Sequence, residues 1–299
     1  MFWILFSYAF AARVSMNEVK CPIGDDYARV FHMVSNNQLG GYDSDLATYS
    51  SGQQFRAHAI STCYENYFSL YGKDFETPIP TEKQDKIKQI LAEQKSKLLD
   101  PKEPTIWERY SIAAAIYREL GRSHLFLAQL YIEASWTIRD TIVGYHRGLE
   151  GPKSVSYILE QAPKELIKSL TDEQRSLLLF NLARVAHRGG YHQLRDHYLS
   201  MFATHIRPDS NEQKSLQYFQ TVVIPLEIEY QQKAMVELEA ALLNKTAMNK
   251  ADLQRTYYWI ADLKRRLGKF EEAKPYYQKA QAEGDNSQII ELSGYFLKE

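Results

Sequence analysis

The sequence feature that most constrains the fold is a helix-turn-helix pattern over residues 257–280. Apolar residues recur there at three- and four-residue spacing, which indicates two helices, and Gly268 lies between them where the chain must reverse. Ala261 and Ala273 are small residues at facing positions, so the two helices can pack closely. A hairpin of this kind cannot bury its apolar face alone and is typical of an array of stacked hairpins.

Two further segments show weaker versions of this hairpin. One has its turn at Gly121, and the other has its turn at Gly189 and Gly190. The pattern at residues 257–280 resembles the tetratricopeptide repeat, in which two antiparallel helices form each unit. We therefore predict a mainly α fold, with a helical-hairpin, tetratricopeptide-like array over residues 81–299.

The stretch between the second and the third hairpin is also rich in helix-forming residues. Residues 213–243 contain Pro225, whose ring removes one backbone hydrogen bond and clashes with the preceding turn. The pattern predicts one long helix with a kink at this proline. A last helix is predicted over residues 287–297.

Composition narrows the functional classes. The chain has 299 residues, 36 Lys and Arg against 37 Asp and Glu, and 44% hydrophobic residues, values typical of a soluble globular protein. Its net charge of -1 lacks the basic excess that nucleic-acid binding usually requires. We expect no nucleic-acid partner. We also expect no integral membrane span, because no apolar stretch reaches the roughly 20 residues of a transmembrane helix.

Residues 1–12 form an apolar run that is too short to cross a bilayer. The run contains Ala9-Phe10-Ala11, a small-residue pattern that resembles a signal-peptide cleavage site, but the basic residues that usually precede such a run are absent. Two interpretations stay open. The preferred one is a signal peptide or apolar leader over residues 1–15, with export to the bacterial periplasm. The alternative is a buried first element of a cytoplasmic protein.

Residues 16–80 are rich in turn formers and predict a small, loop-rich module of short strands. Cys21 and Cys63 each begin a C-x-x-C-like motif whose second sulfur is replaced, by Gly24 and Asn66 respectively. Two thiolates do not complete the tetrahedral set of a structural zinc ion, and no histidine has the required spacing, so we expect no metal. We interpret the cysteines as a disulfide pair, with two buried thiols as the alternative.

Three motifs in order carry a family resemblance. They are the altered cysteine pair, residues 67–75, and residues 127–140 with Ala134, Trp136 and Arg139. Together they resemble the bacterial family known as domain of unknown function 2225. The resemblance implies an N-terminal zinc-ribbon-like segment joined to tetratricopeptide-type helices. The chain departs from the family pattern where two sulfurs are missing, so the ribbon is degenerate and metal binding is not implied for it.

Motifs of common enzyme classes are absent. The chain has no phosphate-binding glycine loop, no H-E-x-x-H and no G-x-S-x-G, which weakens the nucleotide-dependent, zinc-protease and serine-hydrolase hypotheses. We predict a non-enzymatic scaffold that needs no cofactor and binds a peptide or protein in the concave groove of its helical array. The sequence sets neither the identity of the partner nor the oligomeric state.

Alignment of the repeats places a mostly basic set of first-helix side chains in that groove, which suits an extended segment, including an acidic one. The set comprises Arg118, Asn181, Arg184, His187, Arg255, Tyr258, Asp262 and Arg265. The alternative hypothesis is an enzyme or enzyme subunit with a polar site in the N-terminal module, at Asp43, Asp45 and His58, because catalytic residues often lie on loops. The simpler interpretation of the two aspartates is a capped turn.

Overall fold

The structure is a computed structural model, and it describes residues 13–50, 54–143, 151–161 and 169–298. The part of the predicted leader before residue 13 lies outside the described residues. The prediction of a mainly α fold with a small N-terminal module of strands is confirmed.

The chain forms two compact units, and each of them combines separate stretches of sequence. Described residues that fall within 13–39, 49–138 and 230–241 belong to unit 1. Those that fall within 40–48, 139–229 and 242–298 belong to unit 2. Residues 40–48 of the predicted N-terminal module belong to unit 2, and residues 81–138 of the predicted helical domain belong to unit 1.

Two small antiparallel sheets begin unit 1. The strands β1 (Arg13–Lys20) and β2 (Tyr27–Ser35) pair with each other, as do β3 (Ile60–Thr62) and β4 (Ser69–Tyr71). The short helix α1 (Arg56–Ala59) directly precedes β3. On β2 the alternating residues Ala28 and Val30 are buried, whereas most of β1 is exposed. One face of the first sheet is therefore packed, as the two-residue period of a strand predicts.

The helices of unit 1 follow these strands. They are α2 (Thr81–Lys95), α3 (Ile106–Glu119) and the part of α4 (His124–Val143) that ends at Ile138. The helix α3 begins with a capping box, in which the side chains of Thr105 and Glu108 each accept a hydrogen bond from the other's backbone. Such a box satisfies amide groups that the first turn of a helix leaves open.

Helical hairpins form most of unit 2. The helices that lie wholly within it are α5 (Gly151–Gln161), α6 (Asp172–Gly189), α7 (His192–Ala203), α8 (Asn211–Tyr218), α10 (Lys250–Arg266), α11 (Phe270–Glu283) and α12 (Ser287–Phe296). The pairs α6–α7 and α10–α11 pack as hairpins. Ala261, Ala273 and Ala280 are buried between the second pair, as the small-residue pattern predicts. The helix α12 packs on α11, with the rings of Tyr277 and Phe296 5.4 Å apart.

The long helix predicted over residues 213–243 is interrupted. After α8 the backbone forms a wide π-helical turn, Phe219–Val223, before it continues as α9 (Ile224–Leu243). The irregular turn precedes Pro225, which lies in the first turn of α9 and has no amide hydrogen to donate to the residues before it. The irregularity that the structure shows near this proline is a π turn, and the predicted kink stays a prediction.

Candidate functional site

Unit 2 contains a group of charged side chains that is almost completely removed from solvent. We name it the arginine–carboxylate cluster. Each residue in it is at most 4% exposed. Its members are Arg139, Arg188, Arg265, Arg266, Asp43, Asp45, Asp262 and Glu227. Four guanidinium groups and four carboxylates balance one another there, as burial of charge requires.

Two of these carboxylates lie on residues 40–48, which we name the acidic segment. The segment closes on itself. Tyr42 and Thr48 form an isolated antiparallel bridge, and the amide of Asp43 donates to the carbonyl of Ala47 at 2.8 Å. Leu46 has a φ of 71°, a conformation that non-glycine residues adopt mainly in tight turns. The interpretation of this sequence as a capped turn is confirmed, but its aspartates do more than cap it.

Each aspartate of the acidic segment meets its own arginine. The Nε and Nη2 atoms of Arg188 each lie 2.8 Å from Oδ1 of Asp43. Arg139 donates from Nη2 to Oδ2 of Asp45 at 2.7 Å. Burial alone would raise the pKa of Asp45, but Arg139 and Arg266 outweigh it and lower that pKa well below its ordinary value. The segment is thus held by charge-assisted hydrogen bonds, the strong class of such bonds.

The helix α10 also binds the main chain of the acidic segment. The hydroxyl of Tyr258 donates to the carbonyl of Ser44, and Nε1 of Trp259 donates to the carbonyl of Asp45 at 3.2 Å. Arg265 and Arg266 donate to the Ser44 hydroxyl at 2.8 and 2.7 Å. Residues two turns apart on one helix therefore contact the backbone and the side chain of Ser44.

Asp262 orients the two arginines that follow it on α10. Arg265 donates from Nη2 to Oδ1 at 2.8 Å, and Arg266 donates from Nε to Oδ2 at 2.7 Å. These spacings of three and four residues place the three side chains on one face of the helix. The turn at Gly190 packs against the same arginines, because a Cβ atom there would lie 2.9 Å from Cγ of Arg266. Its φ of 75° also favours glycine.

Glu227 on α9 completes the cluster. His187 and Glu227 lie 2.7 Å apart, from Nε2 to Oε2, and Arg139 lies 3.4 Å from the other carboxylate oxygen. Burial would raise the pKa of Glu227, but His187 and Arg139 hold it at about 2. Burial lowers the pKa of His187, against the attraction of Glu227. Glu227 is therefore ionised at neutral pH.

Four of the eight predicted groove residues lie in or against this cluster. His187, Tyr258, Asp262 and Arg265 are buried in unit 2. They contact the acidic segment or the groups that hold it, so they are not an open groove. The carboxylates that these residues contact belong to the same chain, and the prediction of an acidic partner stays a prediction.

Of the other four predicted groove residues, Asn181, Arg184 and Arg255 are half-buried, and Arg118 is exposed. Arg184 donates to Asn181 at 3.1 Å, and Arg255 pairs with an aspartate of its own helix at 2.6 Å. Arg118 belongs to unit 1, where it pairs with Glu237. The structure therefore divides the predicted set between the two units.

The alternative enzymatic site is not favoured by the contacts of its residues. Asp43 and Asp45 are buried in unit 2 and paired with arginines, so neither is an open acid or base. His58 belongs to unit 1, where its ring lies 4.7 Å from that of Phe31. Among the residues that the structure describes, no three His, Cys, Asp or Glu side chains are grouped as metal ligands.

In unit 1 the two altered cysteine motifs are joined twice. Cys21 and Cys63 form a disulfide, with their Cα atoms 6.1 Å apart. Where the second sulfurs are missing, Nδ2 of Asn66 donates to the carbonyl of Ile23 at 2.7 Å. Gly24, beside that carbonyl, has a φ of 89°. A covalent bond and an amide hydrogen bond thus connect the two motifs.

An open cavity of about 680 Å³ lies in unit 2 among α6, α7 and α8. Its apolar lining includes Phe180, Phe202 and Ile206, together with Leu177, which is 65% exposed. Acidic residues from the first turns of α6 and α8 lie at its rim. Carboxylates at these positions stabilise the helix dipoles, so they have a structural explanation and do not define the charge of a ligand.

Sequence reasoning missed Arg188, Arg266 and Glu227 as members of the cluster. The sequence signal for Arg266 is the Asp-x-x-Arg-Arg spacing on α10. The signal for Arg188 is its position directly before the glycine turn of α6. Arg139 was noticed only through the family resemblance.

Comparison of the chain with family models, with curated proteins and with solved structures finds no match. In the described part of the chain, none of the helices combines the length and the apolar character that crossing a bilayer requires. The resemblance to domain of unknown function 2225 therefore stays a prediction.

Proposed function

We propose that the protein is a non-enzymatic interaction scaffold of tetratricopeptide type, which binds a partner at the cavity among α6, α7 and α8. The observation that carries this proposal is the cavity itself, an apolar recess within a helical hairpin unit. Recesses of this kind accept apolar side chains of bound peptides.

The arginine–carboxylate cluster supports placing the partner site at the cavity. Its arginines are already paired with carboxylates and buried, so they are not available to a partner while the acidic segment is in place. In contrast, Leu177 is largely exposed at the cavity. We infer that the partner contributes a large apolar side chain, which covers Leu177 and contacts the ring of Phe180.

Leu177→Asp should weaken partner binding at least about tenfold, because covering one leucine contributes roughly 1.5–3 kcal/mol. The measurement is selection from a displayed library of random peptides, followed by titration of the enriched sequences against both proteins. We expect the enriched peptides to share an apolar anchor. The thermal midpoint should change little, because the leucine is exposed.

The matched control is Leu243→Asp, since Leu243 is also in unit 2 and is 90% exposed, but it does not line the cavity. This variant should bind the enriched peptides as the unchanged protein does. Equal binding by Leu177→Asp, or a selection that enriches no peptide, would exclude the cavity as the partner site.

We further propose that the scaffold acts in the bacterial envelope. The support is the disulfide between Cys21 and Cys63, since disulfides persist in oxidising compartments and are rare in the cytosol. The intact mass of the protein from its native source should lack about 11–15 residues of the leader. The mass should also increase by that of two hydrogen atoms when the disulfide is reduced. A full-length mass with two free thiols would indicate a cytoplasmic protein.

A further inference from the structure

We propose that the arginine–carboxylate cluster is a recognition site for an acidic peptide and that the acidic segment, residues 40–48, is its built-in ligand. The proposal does not depend on the cavity or its partner. The segment is held by recognition contacts, and these persist when its covalent connections to the rest of the chain are cut.

The charge balance shows that the site needs an acidic ligand. Without the acidic segment, the cluster retains four arginines but only two carboxylates, Asp262 and Glu227. All six groups are buried while the segment is in place, and its removal would leave two guanidinium charges without a carboxylate. Asp43 and Asp45 supply the two missing negative charges, each through its own arginine.

The contacts to the backbone indicate that the site recognises a peptide and not only an anion. Tyr258 and Trp259 donate to two successive carbonyl oxygens of the segment, those of Ser44 and Asp45. Two arginines donate to the hydroxyl between the aspartates. An inorganic anion can satisfy guanidinium groups, but it does not reproduce this row of carbonyls and a hydroxyl.

The acidic segment also has internal hydrogen bonds that fix its conformation. Its bridge between Tyr42 and Thr48 and its bond between Asp43 and Ala47 are internal. A ligand that is already folded loses less conformational entropy when it binds. Unit 2 supplies the surrounding groups from positions 94 to 222 residues away in sequence, so the segment contacts them as a separate piece of chain would.

The test cleaves the folded full-length protein on both sides of the segment, so that the segment loses its covalent connections but is not removed. One protease site is inserted after the exposed Asn36, and a second replaces residues 51–53. After cleavage of the oxidised protein, residues 1–36 stay attached because Cys21 is bonded to Cys63. Only the fragment that contains residues 40–48 is then held without a covalent bond. Gel filtration measures whether it stays, and a fluorescein-labelled synthetic copy measures exchange.

We expect the fragment to stay bound and the labelled copy to exchange into the cleaved protein. A copy with Asp43→Asn and Asp45→Asn should bind at least about 100-fold more weakly, since each charge-assisted bond to a buried guanidinium contributes about tenfold or more. The uncut protein should also bind the labelled copy at least about 100-fold more weakly, because the tethered segment competes at millimolar effective concentration.

Several outcomes would overturn the proposal. The fragment could leave while the helical circular dichroism stays unchanged, in which case the cluster needs no ligand. The cleaved protein could unfold or aggregate without rescue by the added peptide. The Asn-substituted copy could bind as tightly as the acidic one. Finally, inorganic phosphate alone could replace the peptide, which would show that the site requires only negative charge and does not recognise a peptide.

Discussion

Replacing Arg266 with methionine should lower the free energy of unfolding by about 3–5 kcal/mol, the usual cost of removing one partner from a buried ion pair. Arg266 is 1% exposed and donates to Asp262 at 2.7 Å, to the Ser44 hydroxyl at 2.7 Å and to the carbonyl of Arg188 at 2.9 Å. Methionine fills similar space but donates no hydrogen bond. Asp262 and the Ser44 hydroxyl keep their bonds from Arg265, whereas the carbonyl of Arg188 loses its bond from Arg266. Urea denaturation followed by circular dichroism measures the change.

The matched control lies on the same helix. Arg255 is half-buried and pairs with Asp252 on the preceding turn, an arrangement that contributes about 0–1 kcal/mol. Arg255→Met should therefore change the free energy of unfolding by no more than about 1 kcal/mol. Similar losses in the two variants would show that the cluster contributes no more to stability than a surface pair does.

The helices could be predicted because their signals are local. The hairpin of α10 and α11 is encoded by small residues at facing positions and by Gly268 at the turn, all within one short stretch. The strand module was likewise indicated by its turn formers.

The cluster could not be predicted because its pairing is not local. Arg139 meets an aspartate 94 residues away, and Arg266 meets a serine 222 residues away. Repeat alignment correctly grouped Asp262, Arg265 and Tyr258 on one helix face. It could not show that this face is covered, because nothing in the periodicity of α10 distinguishes an open groove from one that a distant loop fills. Because these side chains are buried against the acidic segment, we interpret them as contacts within the chain and not as an open groove for a partner.

Acid should remove much of the stability of unit 2, through the carboxylates of the cluster. Glu227 has a pKa of about 2 against an ordinary value of 4.5, and the pKa values of Asp45 and Asp262 are lowered too. A carboxyl group with a lowered pKa stabilises the fold fully above its unfolded pKa and loses that contribution as pH falls through the folded one. Glu227 alone contributes about 3 kcal/mol between roughly pH 4.5 and pH 2.

His187 acts in the same direction at a higher pH. Its pKa is lowered by burial, so the unfolded chain binds a proton below about pH 6.5 while the folded chain resists it. The free energy of unfolding should therefore begin to fall below about pH 6.5 and should fall most steeply from pH 4.5 downward. Urea denaturation at a series of pH values measures this profile.

Glu227→Gln separates this mechanism from general acid denaturation. Glutamine keeps the shape of the side chain but cannot titrate, and it leaves Arg139 and His187 without their shared carboxylate. The variant should be less stable at pH 7, yet its stability should depend less on pH between 4.5 and 2, because one of the titrating carboxylates is gone. If the variant shows the same slope as the unchanged protein in that range, Glu227 does not couple protonation to folding. The acid sensitivity would then belong to other carboxylates.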